Sequence, residues 1–271
     1  MNGTRPQLAT VNAVVHRDCV EGMGDLPADA IPLTVTSPPY DRVRDFGTWD
    51  FERVAEELYR VTAPGGVVCW VVQDGFEKGR RTCTSFRQAL FFERCGFWLW
   101  EVLIVVTRSY QLPSRRRYVP MFHYCFVLSK GRPTTVNLLC DKPNKCAGLM
   151  KHTWQRRERN GSMRRDRVPQ PVAAFGRRGN VWEYGIGNWV TTKDREAFAH
   201  PALMPEALAR DLIMSFSRPY DVVLDPFAGA GTTPKMALLE GRRWLGFEIE
   251  ARYVAIARER VKKAERSLWA S

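Results

Sequence analysis

The 271-residue sequence has no uninterrupted apolar run long enough to cross a bilayer. Residues 1–7 lack the apolar core of a signal peptide. Both absences lead us to expect a cytoplasmic protein with no membrane partner. No C-x-x-C pair occurs, and the seven cysteines are scattered and odd in number. That pattern fits free thiols in a reducing compartment, not a disulfide framework. Cys140, Cys146 and His152 recur at a spacing of six, but the spacing matches no common zinc pattern and no fourth ligand follows. No metal is expected. Internal repeats are absent. So is the Gly-x-x-x-x-Gly-Lys-Ser/Thr loop that cradles a triphosphate.

Acidic residues are scarce in one place. Between Arg108 and Asn180 there are 17 Lys and Arg against 3 Asp and Glu, whereas the remainder has 24 against 26. The formal net charge of +12 therefore comes from one central segment. A basic segment on a near-neutral scaffold is the electrostatic footprint of a polyanion binder.

Outside that segment, strand and helix patterns alternate. Val11–His16 and Ile31–Val35 read as strands, and so do Val67–Val72, Phe97–Thr107 and Met121–Leu128. Asp50 looks like an N-cap for a helix carrying Val54, Ala55, Leu58 and Val61, which Gly65 and Gly66 would stop. A second amphipathic helix runs from Ser85 to Cys95. After His200, Pro205 opens a helix, Asp221–Leu224 is a strand, and Thr233 with Pro234 starts the next helix. A last strand ends at Glu248, and the helix that follows shows a mostly solvated face. Alternation of this kind predicts an α/β body with a mainly parallel sheet. Periodicity fails over 131–192, which reads as a loop-rich basic insertion between two halves, 1–130 and 193–271.

Two loops carry chemistry. Thr36-Ser37-Pro38-Pro39-Tyr40 follows a strand, and its two prolines fix the backbone and cannot extend a ladder. The Ser37 hydroxyl and the Pro38 carbonyl can accept the two N–H groups of an exocyclic amine, and Tyr40 can stack on a base. A plain rigid turn is the competing reading of this pentapeptide. Asp225-Pro226-Phe227-Ala228-Gly229-Ala230-Gly231-Thr232 is a glycine loop between strand and helix, with Glu248 closing the next strand 17 residues after Gly231. Glycines admit a ligand close to the backbone, and a carboxylate at that place can take ribose hydroxyls. Pro234 stands where a dinucleotide fold needs a third glycine. A nucleoside without phosphates fits better, with S-adenosylmethionine as the leading candidate.

The two motifs together resemble the hallmarks of the β class of DNA amino-methyltransferases. The resemblance implies a Rossmann-like sheet of seven strands with one antiparallel, and catalysis by Ser37, Pro38, Pro39 and Tyr40. It implies cofactor contacts from Asp18, Thr36, His200, Pro205, Asp225, Pro226, Phe227, Ala228, Gly229, Gly231, Thr232 and Glu248. Relatives often carry lysine where Met204 stands. The basic insertion becomes a target-recognition region for double-stranded DNA, and Arg115, Arg116 and Arg117 become phosphate contacts. Serine ahead of the prolines favours cytosine N4, with adenine N6 as the alternative. RNA or protein N-methylation and a non-catalytic nucleic-acid-binding module are the more distant readings. The resemblance also implies a prokaryotic or phage-encoded protein near the nucleoid. It leaves room for a homodimer and for a partner restriction endonuclease. His16 and His123, in apolar strands, read as packed residues.

Overall fold

The computed structural model describes residues 8–40, 49–108, 116–150, 155–165 and 171–269. Two compact units emerge: 1–137 with 180–271, and 138–179.

The first unit is built on one eight-stranded sheet. Its strands are β1 (Ala13–His16), β2 (Ile31–Thr36), β3 (Thr62–Val72), β4 (Trp98–Arg108), β5 (Phe122–Ser129), β6 (Val181–Gly185), β7 (Val222–Asp225) and β8 (Arg243–Glu248). They lie in the order β1-β8-β7-β2-β3-β5-β4-β6. β5 runs antiparallel to both of its neighbours, and every other pairing is parallel. The expected fold and its single antiparallel strand are therefore present, with one strand more than the seven expected.

The additional strand is β6, inside the segment read as insertion. Its five residues alternate, with Trp182 and Tyr184 buried and Val181, Glu183 and Gly185 exposed. It pairs with β4 from Val181↔Ile104 to Gly185↔Arg108. The separate basic unit is consequently 138–179, narrower than 131–192. Its described strands are short antiparallel pairs, Met163–Arg165 with Gln155–Arg157 and Phe175–Gly176 with Lys142–Pro143.

The helices form for local reasons legible in the residues. The Asp50 carboxylate accepts the Arg53 N–H (3.2 Å) and starts α2 (Phe51–Val61), which buries Val54, Ala55, Leu58 and Val61. Gly65 and Gly66 do not end it. β3 begins at once at Thr62 and contains both glycines, and its register against β2 shifts between Ile31 and Leu33. α3 (Thr84–Cys95) docks through Gln88, whose carbonyl accepts the indole N–H of the fully buried Trp70 (3.0 Å). Pro205 caps α4 (Glu206–Phe216) as expected. α5 (Thr232–Leu239) starts from Gly231, so Thr233 is not its cap. α1 is Cys19–Gly24, and α6 is Ala251–Trp269.

Strand order places the site. From β2 the chain crosses to β3 on one side, and from β7 it crosses to β8 on the other. The reversal lies between β7 and β2, where open α/β sheets bind ligands at the carboxyl ends of their strands. Among the described residues no helix is long and apolar enough to cross a membrane.

Candidate active site

The proline loop and the glycine loop leave adjacent strands. β7 pairs with β2 at Val223↔Leu33 and Leu224↔Thr34. Two side-chain bonds then lock the strand ends together. The Thr36 hydroxyl donates to Asp225 Oδ1 (2.7 Å), and the Thr233 hydroxyl donates to the Val35 carbonyl (3.1 Å). Residues nearly 200 apart in the chain thus share one corner.

On the cofactor side, Gly229 and Gly231 have φ of +50° and +78°, a region that side chains strain to enter. A Cβ on Gly229 would stand 3.0 Å from His200 Nε2, and one on Gly231 would stand 2.7 Å from the Ala257 Cβ. Glu248 Oε2 accepts the Gly229 N–H and Oε1 accepts the Glu250 N–H, both at 2.8 Å. An ionised carboxylate has about four acceptor positions, so about two remain for hydroxyls. Burial raises the Glu248 pKa, opposed by those N–H groups. Asp18 lies beyond β1, whose His16 pairs with Glu248, and its carboxylate caps α1 through Val20 N (2.8 Å) and Glu21 N (3.1 Å). His200 sets its ring edge against Tyr253 (4.3 Å between centroids) and its Nδ1 within 2.6 Å of the Ala202 carbonyl. Phe227 packs on Trp49 (5.0 Å). A tight glycine turn, two carboxylates at adjacent strand ends and an aromatic cluster at its edge fit a nucleoside with free hydroxyls.

Other expected cofactor residues serve the frame. Thr36 and Asp225 are buried and bonded to each other. Burial pushes the Asp225 carboxyl up to about 6, against the Thr36 hydroxyl and the Phe227 N–H (3.1 Å). Ala228 and Thr232 are also buried, and Pro205 is the cap of α4.

Beneath the glycine loop lies a cluster that the sequence did not disclose. Arg260, at 0% exposure, donates to Asp194 Oδ2 (2.9 Å), Glu206 Oε1 (2.6 Å) and the Ala230 carbonyl inside the loop. Lys235 Nζ reaches the same two carboxylates, each at 2.7 Å. Burial pushes the Asp194 carboxyl up, but hydrogen bonds from Lys235 and Arg260 outweigh it and hold the pKa below its usual value. Within the sequence, Arg260 looks like one more solvated arginine of α6, because its partners lie 30 to 66 residues away.

On the other side of the corner, Ser37 Oγ is 2.6 Å from the Tyr40 hydroxyl. Pro38 is buried, whereas Ser37, Pro39 and Tyr40 are half-buried. Burial raises the Tyr40 pKa to about 12, so the phenol is neutral. The Tyr40 ring lies 5.7 Å from that of His123 on β5. His123 Nδ1 is buried with no partner among the described residues, and burial lowers its pKa to about 4. His123 is packed, as its strand suggested, but packed against the motif tyrosine.

Arg115 lies outside the described residues, as does His152. Arg116 and Arg117 are exposed.

Residues 31–259 match the DNA methylase family. The chain belongs to that family. It is 46% identical over 245 residues to the orphan methyltransferase M.BamHII of Bacillus amyloliquefaciens, covering 89% of this chain and 91% of the relative. Its fold matches the cytosine-N4-specific PvuII DNA methyltransferase with a TM-score of 0.65 at 19% identity, over 94% of this chain and 92% of that one. M1.HpyAVI, solved as a complex with S-adenosylmethionine, matches with a TM-score of 0.59 at 21% identity, over 92% and 98%. This family member is an S-adenosylmethionine-dependent DNA methyltransferase of the group that modifies exocyclic amines of cytosine or adenine. The family expectation drawn from the two motifs is borne out.

Proposed function

We propose that the chain methylates N4 of a cytosine lifted out of double-stranded DNA. One observation carries the reading: the serine-type proline loop stands beside the glycine loop across a direct β2–β7 pairing. A base inside the duplex cannot reach such a corner, so it is flipped out. The residues then divide the work. Tyr40, neutral and half-buried, gives a stacking face at the corner. The Ser37 hydroxyl and the Pro38 carbonyl accept the two amino N–H groups. Ser37 can accept because the Tyr40 hydroxyl can be the donor across their 2.6 Å contact.

The bound cofactor supplies a methyl group on a positively charged sulfur. The amine needs no strong base before attack, because one N–H proton would be shed to water only after the methyl group has arrived and the sulfur has left as a neutral thioether. Positive charge grows on the nitrogen in the transition state, and acceptors aimed at its N–H groups strengthen as it does. On the other side, Gly229 and Gly231 allow close approach of the nucleoside, Glu248 and Asp18 offer acceptors for hydroxyls, and His200, Pro205, Phe227 and Thr232 shape the walls.

Incubation with methyl-labelled cofactor and duplex DNA, followed by nucleoside digestion, tests the reading. Label in N4-methylcytosine is expected. Label only in N6-methyladenine would replace the base assignment, and label in neither would overturn the reading. A DNA substrate supports a nucleoid-associated enzyme, prokaryotic or phage-encoded. The homodimer is tested by sedimentation of the purified chain, and the restriction partner by assaying the host for cutting of unmodified DNA.

A further inference from the structure

A hairpin next to the proline loop carries a charge pattern that the reaction itself does not use. It leaves the carboxyl end of β3, the parallel neighbour of β2, and so rises from the same edge as Ser37. Phe76–Glu77 pairs antiparallel with Arg80–Arg81 around a two-residue turn. Both turn residues are left-handed, Lys78 at φ +47° and Gly79 at +75°, as a tight primed turn requires. Phe76 as a residue stays 47% exposed. Two guanidinium groups lie over it, Arg81 at 4.5 Å and Arg117 at 4.8 Å from its centroid. Each is also tethered through the backbone: Arg81 donates to the Asp74 carbonyl (3.2 Å) and Arg117 to the Gly79 carbonyl. Arg116 and Tyr118 adjoin, and Tyr118 is 99% exposed.

Among the described residues, this surface therefore holds Lys78, Arg80, Arg81 and Arg117 beside one exposed acid, Glu77. The neighbouring Asp74 is buried, and its carboxylate is engaged by the Ser85 N–H (2.8 Å). Cations fixed on an aromatic ring keep their outward N–H groups for a ligand and lose little freedom when one arrives. Clustered guanidiniums beside exposed rings suit a polyanion that also offers flat faces. Resting on the DNA-methyltransferase reading, we propose that this hairpin, with the Arg116–Tyr118 segment, grips the phosphate backbone of the duplex beside the flipped base. Arg116 and Arg117, expected from the sequence to meet phosphates, thereby join a hairpin that the sequence did not single out, and both belong to the first unit and not to 138–179.

The test is the salt dependence of duplex binding by the full chain, between about 50 and about 300 mM NaCl. The variant is Lys78→Ala with Arg80→Ala, two exposed side chains on the turn and its flank. Each lost phosphate contact lowers the log–log slope by about 0.9, so a fall of close to two is expected. Affinity near 0.1 M salt should drop roughly ten- to hundredfold, with cofactor affinity unchanged. Lys262→Ala with Arg266→Ala, on α6 at the β1–β8 side, is the control and should leave the slope alone. A Lys78/Arg80 variant with the wild-type slope would overturn the proposal, and so would a control pair that lowers the slope equally. Wild-type protein that neither binds duplex nor methylates it would instead defeat the underlying reading.

Discussion

The glycine loop and the proline loop meet at one corner and are held in opposite ways. Behind the glycine loop the buried charges find their partners within the chain. Arg260 and Lys235 bind Asp194 and Glu206, Arg260 also holds the Ala230 carbonyl, and Glu248 takes two backbone N–H groups. Beyond the Thr36–Asp225 bond at its base, the proline loop shows the Ser37–Tyr40 contact, and beside it stands the Nδ1 of His123, without a partner among the described residues. Full satisfaction makes a polar network rigid, whereas unspent capacity is available to a ligand. The contrast teaches that the cofactor half is organised before any ligand arrives. On the proposed reading, the proline loop keeps the Ser37 hydroxyl and the Pro38 carbonyl for the substrate.

Breaking the satisfied half should have the largest effect. Arg260→Met leaves buried Asp194 and half-buried Glu206 short of a partner and should destabilise the protein by about 3–5 kcal/mol, read by denaturant unfolding. A loss below about 1 kcal/mol, no more than a surface pair gives, would mean that the network does not hold the loop.

Asp225 sharpens the comparison through pH. Burial lifts its pKa to about 6, so the folded state binds that proton more tightly than the unfolded chain. The contribution is fully present below the unfolded value, near 4, and is lost as pH rises through about 6. Asp225→Asn keeps an acceptor for Thr36 and escapes the loss. Its stability relative to wild type should therefore climb between pH 4 and 6 to a gain of up to about 3 kcal/mol, seen as a pH-dependent difference in melting temperature. A difference that is flat across this range would refute the assignment.

His123 should behave in the opposite sense. Its pKa is depressed to about 4, so its contribution is present above the unfolded value near 6.5 and is lost as pH falls through about 4. His123→Phe should unfold less readily in acid, by about 2 kcal/mol at pH 5. At pH 8 it should change little, because no hydrogen bond of Nδ1 is lost. A large loss at pH 8 would show that the imidazole already has a partner in the free protein.

Gly231→Ala is the most local probe. It strains a left-handed residue, at about 1–2 kcal/mol, and brings a methyl to 2.7 Å from Ala257. Calorimetric titration should show weakened cofactor binding, while the Ser37–Tyr40 side is untouched. Unchanged cofactor affinity would separate the turn from the pocket.

Both motifs, the parallel body and the helices at Asp50 and Pro205 were legible because each rests on local chemistry. Proline stiffens its own turn, a carboxylate caps its own helix, and glycine enters the left-handed region by itself. Three features were not legible. β6 carries a period-two pattern over five residues, too short to stand out beside the arginines and glycines around it. Arg260 and Lys235 are charged residues whose burial depends wholly on distant partners. The Phe76 hairpin becomes a cation platform only when Arg117, 36 residues from Arg81, folds over the same ring.

The most direct test measures two quantities on one sample of Ser37→Ala: cofactor affinity by calorimetry and single-turnover methylation of duplex DNA. The account predicts affinity within twofold of wild type and a methylation rate reduced roughly hundred- to thousandfold. Cofactor affinity that collapses, with a normal rate per bound complex, would contradict it.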